Sequence, residues 1–339
     1  MQKTIKRYLA LFLCLVMALG IFTACGEPEA TEPTAAPTQP QPPEEVGVLK
    51  VLTLGHSLAV DCGHMLALIA ATEGYENFVV GTLYESGCSI TEHLTRTRTG
   101  EKAYDLYLSN TDEVNLPPSI LAGMSIQEAL EYDYWDIVIM QGGVFEMTTN
   151  HAFKSNQIQG IQEFVREHNQ NPNTVFAWHM PWVAPADNTL RDKYPHNPNT
   201  YYTNYEAFNH DRTTLFNTTA GLVKEFITTD DTFSYVIPSG TAIENALSSY
   251  LEETDLHRDY VHASDLGRVI ASYTWFCVLT GVEKLEEIKL TTIPKVFMFS
   301  TSSPAHTLTE MEKKVIIESV NNALANPLQM TQSQYTQAG

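Results

Sequence analysis

The chain has 339 residues and a formal net charge of −20, with 40 acidic residues against 20 Lys and Arg residues. This charge argues against nucleic acid and anionic lipid surfaces as partners, because an acidic protein repels their phosphates. About 290 residues follow the N-terminal segments described below, a length that suffices for one large α/β domain.

Residues 1–24 have the pattern of a secretory signal. Basic residues at 3, 6 and 7 precede an apolar run from Tyr8 to Phe22, which at about 15 residues is short for a membrane span. The next residues, Thr23-Ala24-Cys25, complete a segment that resembles a bacterial lipobox, in which the cysteine is lipid-modified and becomes the new N-terminus. We therefore predict a lipoprotein anchored through Cys25 to the outer face of the bacterial cytoplasmic membrane. The alternatives are an ordinary signal or an uncleaved anchor.

Residues 25–47 are predicted to form a tether. Six Pro residues stand there among Glu, Thr and Gln, a composition that cannot bury a core. We predict a folded domain over residues 48–330 and a disordered tail over residues 331–339.

A strand, a turn and a helix are predicted in succession at the start of this domain. The apolar run Val51-Leu52-Thr53-Leu54 is typical of a buried strand, Gly55 permits a tight turn, and a helical pattern follows from Val60 to Ala71. Ser57 would then lie exposed near backbone N–H groups that stabilise a developing oxyanion. The alternative is that Ser57 only caps the helix, a common role for Ser at this position.

Strand and helix patterns alternate through the remaining sequence. Strands are predicted at 78–84, 135–143, 174–180 and 235–238, and helices at 152–168, 205–227, 241–250, 264–280 and 307–325. A further short helix is predicted to begin at Ser125, which has capping-box spacing to Glu128. Residues 100–120 are interpreted as a hairpin or flap between core units, and residues 185–204 as a surface loop that lines the substrate entrance. This alternation predicts an α/β fold with a mostly parallel sheet, covered on both faces.

The candidate site lies at the carboxyl ends of the strands, where such sheets bind their ligands. Ser57, Gly87 and the segment Gln141-Gly142-Gly143 each follow a predicted strand, so one crevice can hold them. A hydrolytic serine needs a base within reach and an acid that orients the base. Asp259 and His262 are three residues apart before a predicted helix, and on a turn they can present both side chains to one place.

These motifs together resemble the SGNH hydrolase superfamily. They are Gly55-His56-Ser57, the lone Gly87 after the second strand, and Asp259-x-x-His262. The sequence Ile237-Pro238-Ser239-Gly240-Thr241-Ala242 and the pattern around Asp259 further resemble the exported group known as DUF4886. The resemblance spans about residues 48–325. It implies esterase or acetylesterase activity on a flavodoxin-like, three-layer α/β/α SGNH-hydrolase fold.

Carried onto this chain, the resemblance implies a role for each site residue. Ser57 would be the nucleophile, His262 the base and Asp259 its orienting partner, with the N–H groups of Ser57 and Gly87 binding the oxyanion. The superfamily usually has Gly-x-Asn-Asp after its central strand, but this chain has no Asn there, and Gln141 would take its place. His56, which stands where the superfamily often has Asp or Asn, would contact substrate together with Gly142 and Trp182.

Two functions from different classes fit this pattern. The first is an extracytoplasmic serine esterase that removes acetyl or other short acyl groups from a carbohydrate. The second is a non-catalytic glycan- or solute-binding lipoprotein on the same fold. The joint presence of Ser57, Asp259 and His262 favours the enzyme, because a binding protein does not need all three.

No cofactor or metal is expected. His56, His64 and His93 lack the spacing of a metal-ligand motif. Cys62, Cys88 and Cys277 are scattered, so one pair forms a disulfide or all three are buried free thiols. We expect a monomer that binds a small-molecule or glycan ester and no nucleic acid.

Overall fold

A computed structural model describes residues 48–114, 118–143, 146–154, 156–186, 211–294 and 305–337. The predictions for Cys25, for the signal and for the tether lie outside these residues, as does the predicted entrance loop beyond Ala186. Among the described residues, no helix is both long enough and apolar enough to span a membrane.

Seven strands of the described chain form one sheet. They are β1 (Leu49–Gly55), β2 (Phe78–Tyr84), β3 (Tyr104–Asn110), β4 (Ser119–Met124), β5 (Ile137–Met140), β6 (Val175–His179) and β7 (Phe233–Ile237). Their order is β4-β3-β2-β1-β5-β6-β7, with β1, β2, β5, β6 and β7 parallel and the β3–β4 hairpin antiparallel. The five parallel strands, counted along the chain, have the order 2-1-3-4-5 of flavodoxin-like folds.

Helices cover both faces of the sheet. They are α1 (Ser57–Glu73), α2 (Ile90–Thr99), α3 (Ile126–Tyr132), α4 (His151–Lys154), α5 (Gln157–His168), α6 (Arg212–Phe226), α7 (Ser239–Leu247), α8 (Glu253–Leu256), α9 (Asp265–Thr280) and α10 (Glu310–Ala325). Two apolar clusters separate the layers: one packs α1, α7, α9 and α10 against the sheet, and the other packs α2, α3, α5 and α6. A two-residue ladder pairs β8 (Thr292–Ile293) with β9 (His306–Thr307). The predicted three-layer α/β/α architecture is confirmed.

The predicted hairpin within residues 100–120 is present, but its position and the state of the C-terminal tail differ from the predictions. Residues 104–124 do form a hairpin, but it extends the central sheet through the β2–β3 pairing instead of standing between core units as a flap. Residues 331–337 are ordered against the domain, because their backbone bonds to the end of α7 and to the turn after it. Thr331 N–H donates to Asn245 Oδ1 at 2.7 Å, and the Tyr335 carbonyl accepts from Tyr250 N–H at 2.9 Å.

Candidate active site

The turn between β1 and α1 places Ser57 at the carboxyl edge of the sheet. Gly55 is required in this turn, since a Cβ there would lie 2.6 Å from the Cβ of Ala59. His56 is the N-cap of α1, and its Nδ1 accepts from Leu58 N–H at 3.4 Å. Ser57 is therefore the first residue of the helix and not its cap, so its partly exposed hydroxyl is available for other contacts.

His56 also joins the β1 turn to the loop after β5. Its Nε2 lies 3.2 Å from the Gly142 carbonyl oxygen, which requires the proton on Nε2 because Nδ1 accepts from Leu58. Burial lowers the pKa of His56 to about 4, so the ring is neutral at physiological pH. The imidazole fixes the two loops with respect to each other.

Ser57, His262 and Asp259 form one hydrogen-bonded chain. His262 Nε2 lies 2.8 Å from Ser57 Oγ across 205 residues of sequence, and His262 Nδ1 lies 2.8 Å from Asp259 Oδ2. The predicted contacts on both sides of the imidazole are thus confirmed. With Asp259 accepting from Nδ1–H, Nε2 is left to accept the proton of Ser57 Oγ.

Asp259 is held as a carboxylate. Burial raises its pKa, but the hydrogen bond and charge of His262 and the N–H groups of Val261 and His262 together bring the pKa below its usual value. Those two N–H groups donate to Asp259 Oδ1 at 2.9 and 2.8 Å. The acid is therefore ionised and fixed in orientation by its own loop.

The loop that carries Asp259 and His262 is held together at its two ends by backbone hydrogen bonds. His257 and Ala263 form an isolated antiparallel bridge, and Arg258 N–H donates to the His262 carbonyl at 3.0 Å. Trp182 also holds the loop, because its Nε1–H donates to the Val261 carbonyl at 2.8 Å. The segment between α8 and α9 thus folds into a short hairpin-like turn that brings His262 to Ser57 and Asp259 to His262.

The predicted oxyanion donors differ in their surroundings. The N–H of Ser57 lies in the first turn of the 17-residue helix α1, where backbone donors have no partner within the helix. Gly87 is exposed with a φ of +66°, in a loop joined to the Ser57 turn by the Glu85 N–H, which donates to the Gly55 carbonyl at 3.4 Å. Their roles in binding an oxyanion stay predictions.

Gln141 does not face the site, and its prediction as a third oxyanion donor is corrected. Its side chain is fully buried, and its Oε1 accepts from His179 Nδ1 at 2.7 Å. The amide nitrogen is buried behind the Gly55 turn, with no hydrogen-bond partner in the described part of the chain. The amide nitrogen is therefore shielded from solvent in this arrangement.

The three predicted substrate contacts are also corrected. His56 is 1% exposed and Trp182 is 3% exposed, and the ring N–H group of each donates to a backbone carbonyl. Gly142 is buried and its carbonyl accepts from His56. These residues shape the loops around the site and do not line an open surface.

Two carboxylates that sequence reasoning missed connect the site loops. Glu146 Oε2 accepts from the N–H of Gly143 at 3.0 Å and of Ile90 at 2.8 Å, which joins the loop after β5 to the start of α2. Asp61 lies one helical turn after Ser57 and contacts the loop of His262. A signal for Asp61 existed in the sequence: it is a lone acid within an apolar helical stretch, four residues after Ser57.

The described residues contain neither a cluster of metal-ligating side chains nor a disulfide. No group of three or more His, Cys, Asp or Glu side chains there is placed to hold a metal ion. Cys62, Cys88 and Cys277 are all free and buried, which decides between the two alternatives for the thiols.

The fold and the site together define a flavodoxin-like α/β protein with a Ser–His–Asp chain beside the switch point between β1 and β5. The chain belongs to the DUF4886 family, a domain of unknown function that matches residues 50–293. No curated protein matches it significantly.

Three solved structures are similar to this chain to different degrees. A DUF4886 family protein from Bacteroides uniformis has 22% identity and a TM-score of 0.68, covering 85% of this chain and 99% of that chain. A candidate SGNH hydrolase from Slackia heliotrinireducens has a TM-score of 0.41 at 15% identity, with 69% and 100% coverage. A catalytic mutant of an acetylxylan esterase from Geobacillus stearothermophilus has a TM-score of 0.39 at 13% identity, with 68% and 94% coverage. Only the first of these similarities is strong enough to show a common fold.

Proposed function

We propose that this protein is a serine esterase. The observation that carries the proposal is the continuous chain from Ser57 Oγ through both nitrogens of His262 to the Asp259 carboxylate, at 2.8 Å for each contact. A serine needs a base in hydrogen-bond contact, and that base needs an oriented and ionised partner. All three requirements are met at the carboxyl edge of the sheet.

The proposed reaction proceeds through an acyl-enzyme. Ser57 Oγ forms a bond to the ester carbonyl carbon while its proton passes to His262 Nε2. The bond from the carbonyl carbon to the alkoxy oxygen then breaks, and His262 returns the proton to the leaving alcohol. A water molecule next attacks the carbonyl carbon of the acyl-enzyme and gives a proton to His262. The bond from that carbon to Ser57 Oγ then breaks, and His262 returns the proton to Ser57 Oγ as the carboxylic acid leaves.

Two backbone donors would stabilise the tetrahedral intermediates. The Ser57 N–H at the positive end of α1 and the Gly87 N–H in the adjacent loop are the donors in this proposal. One donor of this kind is worth about 10²–10³ in turnover. With Gln141 buried, the site would operate without a side-chain donor.

We further propose that the ester is a short acyl group, such as acetyl, on a carbohydrate. This part rests on the resemblance of Gly55-His56-Ser57 and Asp259-x-x-His262 to carbohydrate acetylesterases of the SGNH superfamily. Hydrolysis of p-nitrophenyl esters of increasing acyl length tests the acyl preference. Release of acetate from acetylated oligosaccharides tests the alcohol.

Covalent labelling with a fluorophosphonate probe tests the enzyme directly. We expect the wild type to be labelled at Ser57, with loss of fluoride, as located by mass spectrometry of the labelled peptide. Ser57→Ala should not be labelled, whereas Ser119→Ala, which changes an exposed serine on the edge strand, should be labelled like the wild type. A folded wild type that resists the probe would overturn the proposal.

One observation favours the alternative of a non-catalytic glycan- or solute-binding protein. The superfamily's usual side-chain donor is absent, and Gln141, the amide at its place, is buried against His179. The labelling experiment separates the two functions, because a binding protein with an inactive serine would retain glycan affinity without reacting.

We also propose export and membrane anchoring through Cys25. The support is the basic start, the apolar run and the small residues before Cys25. Metabolic labelling with a fatty acid should mark the wild type and fail to mark Cys25→Ser, which should lose membrane association or processing. An unlabelled wild type would remove this proposal.

A further inference from the structure

Asp61 is a fully buried carboxylate that the reaction itself does not use. It lies on α1 four residues after Ser57, so both side chains project from the same side of the helix, one turn apart. Its side chain has no exposed area. A carboxylate is rarely buried so completely unless charged and polar partners surround it.

Those partners come from the loop of the acid and the base. Arg258, which directly precedes Asp259, donates through Nη1 to both carboxylate oxygens of Asp61 at 2.9 and 3.0 Å. The Ala263 N–H, which directly follows His262, donates to Asp61 Oδ2 at 3.1 Å. Arg258 Nη1 also donates to the Ala263 carbonyl, which closes the loop on itself. Asp61 therefore holds both flanks of the segment that contains Asp259 and His262.

A second arginine, on helix α9, also binds the Asp61 carboxylate. Arg268 on α9 is 2% exposed and contacts Asp61 Oδ1 through Nε at 2.9 Å and Nη2 at 2.8 Å. Burial raises the pKa of Asp61, but the charges of Arg268 and Arg258 outweigh burial and bring the pKa below its usual value. The clamp is thus ionised and joined to α1, the loop and α9 at once.

We propose that Asp61 is a positioning residue that sets the distance between Ser57 Oγ and His262 Nε2 by clamping the Arg258–Ala263 loop to α1. This inference rests on the esterase function proposed above. A rigid clamp is needed because Ser57 and His262 belong to different elements, and a misplacement of about 1 Å at a reacting pair costs about 10²-fold in rate. A buried ion network is weak evidence for added stability, because desolvation of the charges offsets their attraction.

The test uses variants that change the charge of Asp61, the length of its side chain, or a neighbouring acid outside the loop. Asp61→Asn removes the charge, and Asp61→Glu keeps the charge but lengthens the side chain. Arg258→Lys keeps the charge but replaces the guanidinium whose Nη1 donates to both Asp61 oxygens and to the Ala263 carbonyl. Asp265→Asn is the matched control, because Asp265 also binds Arg268, at 3.2 Å, but does not contact the loop. For each folded variant we would measure the fluorophosphonate labelling rate of Ser57, kcat and KM on an acetate ester, and Tm.

We expect Asp61→Asn and Asp61→Glu to lower the labelling rate and kcat by about 10²-fold with KM within about twofold of wild type. Arg258→Lys should fall between these variants and the wild type, and Asp265→Asn should match the wild type. Arg258 is partly exposed, so Arg258→Lys alone decides the question if the Asp61 variants fail to fold.

Three outcomes would overturn the inference. The first is wild-type labelling in the folded Asp61 variants, or in Arg258→Lys where that variant decides alone, with only Tm lowered. The second is full activity in Asp61→Glu, which would indicate a role for charge and not for position. The third is an equal loss in Asp265→Asn. A wild type that is itself not labelled would instead contradict the esterase proposal, so the two failures are distinguishable.

Discussion

At the scale of single residues, the hydrogen-bonded chain of Ser57, His262 and Asp259 predicts one functional unit. Ser57→Ala and His262→Ala should each lower kcat/KM on an acetate ester by at least about 10³-fold, and the double variant should lose little more. Asp259→Asn should cost less than either, since it disturbs orientation and charge without removing a reacting group. Double-variant losses equal to the product of the single losses would contradict a shared step.

Gln141 gives a second prediction at this scale, because its two possible roles differ in what they change. The buried contact with His179 predicts that Gln141→Ala lowers the free energy of unfolding by about 2–4 kcal/mol, through lost packing and an unpaired ring nitrogen. Turnover per folded molecule should stay within about threefold of wild type. Urea unfolding together with active-site titration by the fluorophosphonate probe measures both quantities.

The opposite result for Gln141 has a clear meaning. A loss of about 10²-fold in turnover with unchanged stability is the scale of a lost oxyanion donor. That outcome would return Gln141 to the site and require the side chain to rotate away from His179 when an ester binds.

The sequence predicted the contacts among Ser57, His262 and Asp259 better than the directions of the side chains around them, for a physical reason. Ser57 and the pair Asp259 and His262 occur in short local patterns, and the ends of parallel strands and the loops near them meet at one edge whatever the intervening sequence. The directions of Gln141 and Trp182 depend instead on partners far along the chain, His179 and the Val261 carbonyl. No spacing within the sequence encodes those contacts.

At the scale of elements, the buried parallel strands were predicted well because each is a short apolar run that ends in a turn signal. The polar helix α2 was missed, since its sequence ITEHLTRTRT buries only Ile90 and His93 and shows little periodicity. Its start at Ser89 is fixed by a capping box with Glu92. The predicted helix over 152–168 is divided at Asn156, which adopts a φ of +52° between α4 and α5.

The ordered tail yields a prediction about this scale. Removing residues 331–339 should lower the free energy of unfolding by at least about 3 kcal/mol, the scale of three lost hydrogen bonds. Among the bonds lost are those from Thr331 N–H to Asn245, from Ser333 N–H to Ser248 Oγ, and from Tyr250 N–H to the Tyr335 carbonyl. Guanidinium unfolding measures the change, and removal of residues 338–339 alone serves as the control. Equal stability of the two truncations would mean that the tail contributes nothing in solution.

At the scale of the whole molecule, the strand order explains why one site exists where it does. Connections from β1 and β5 leave the sheet in opposite directions, so a crevice opens at their carboxyl ends, and Ser57 directly follows β1. The same topology brings a loop some 200 residues downstream to that crevice through β7, α7 and α8. The overall layout was therefore predictable from the alternation of elements, whereas the edge position of the β3–β4 hairpin was not. Its alternating pattern suits either a separate flap or an edge pair.

A final prediction concerns the pH dependence of stability, because five of the described histidines are buried: His56, His64, His93, His179 and His257. Burial lowers the pKa of His56 and of His64 to about 4, and that of His93 and of His257 to about 3, from an ordinary value of 6.5. Burial also lowers the pKa of His179. As pH falls below about 6.5, the unfolded chain takes up protons that the folded chain does not bind. Stability should therefore be highest above that pH and should decrease towards pH 4, by up to about 3 kcal/mol for each such histidine.

As the pH falls, the loss of stability caused by the histidines should begin at a higher pH than any loss caused by Asp61 and Asp259. The pKa values of Asp61 and Asp259 are held below the ordinary 3.8, so the stability that they add is present above that pH and is lost only at more acidic values. Urea unfolding between pH 7.5 and 4.5 at constant ionic strength should show a steep slope that His64→Leu flattens by about one proton, because this ring is buried against Tyr107 with its Nε2 unpartnered among the described residues. A free energy of unfolding that stays constant from pH 7 to 5 would mean that these histidines titrate normally in the folded protein, and hence that they are far more accessible to water than their burial indicates.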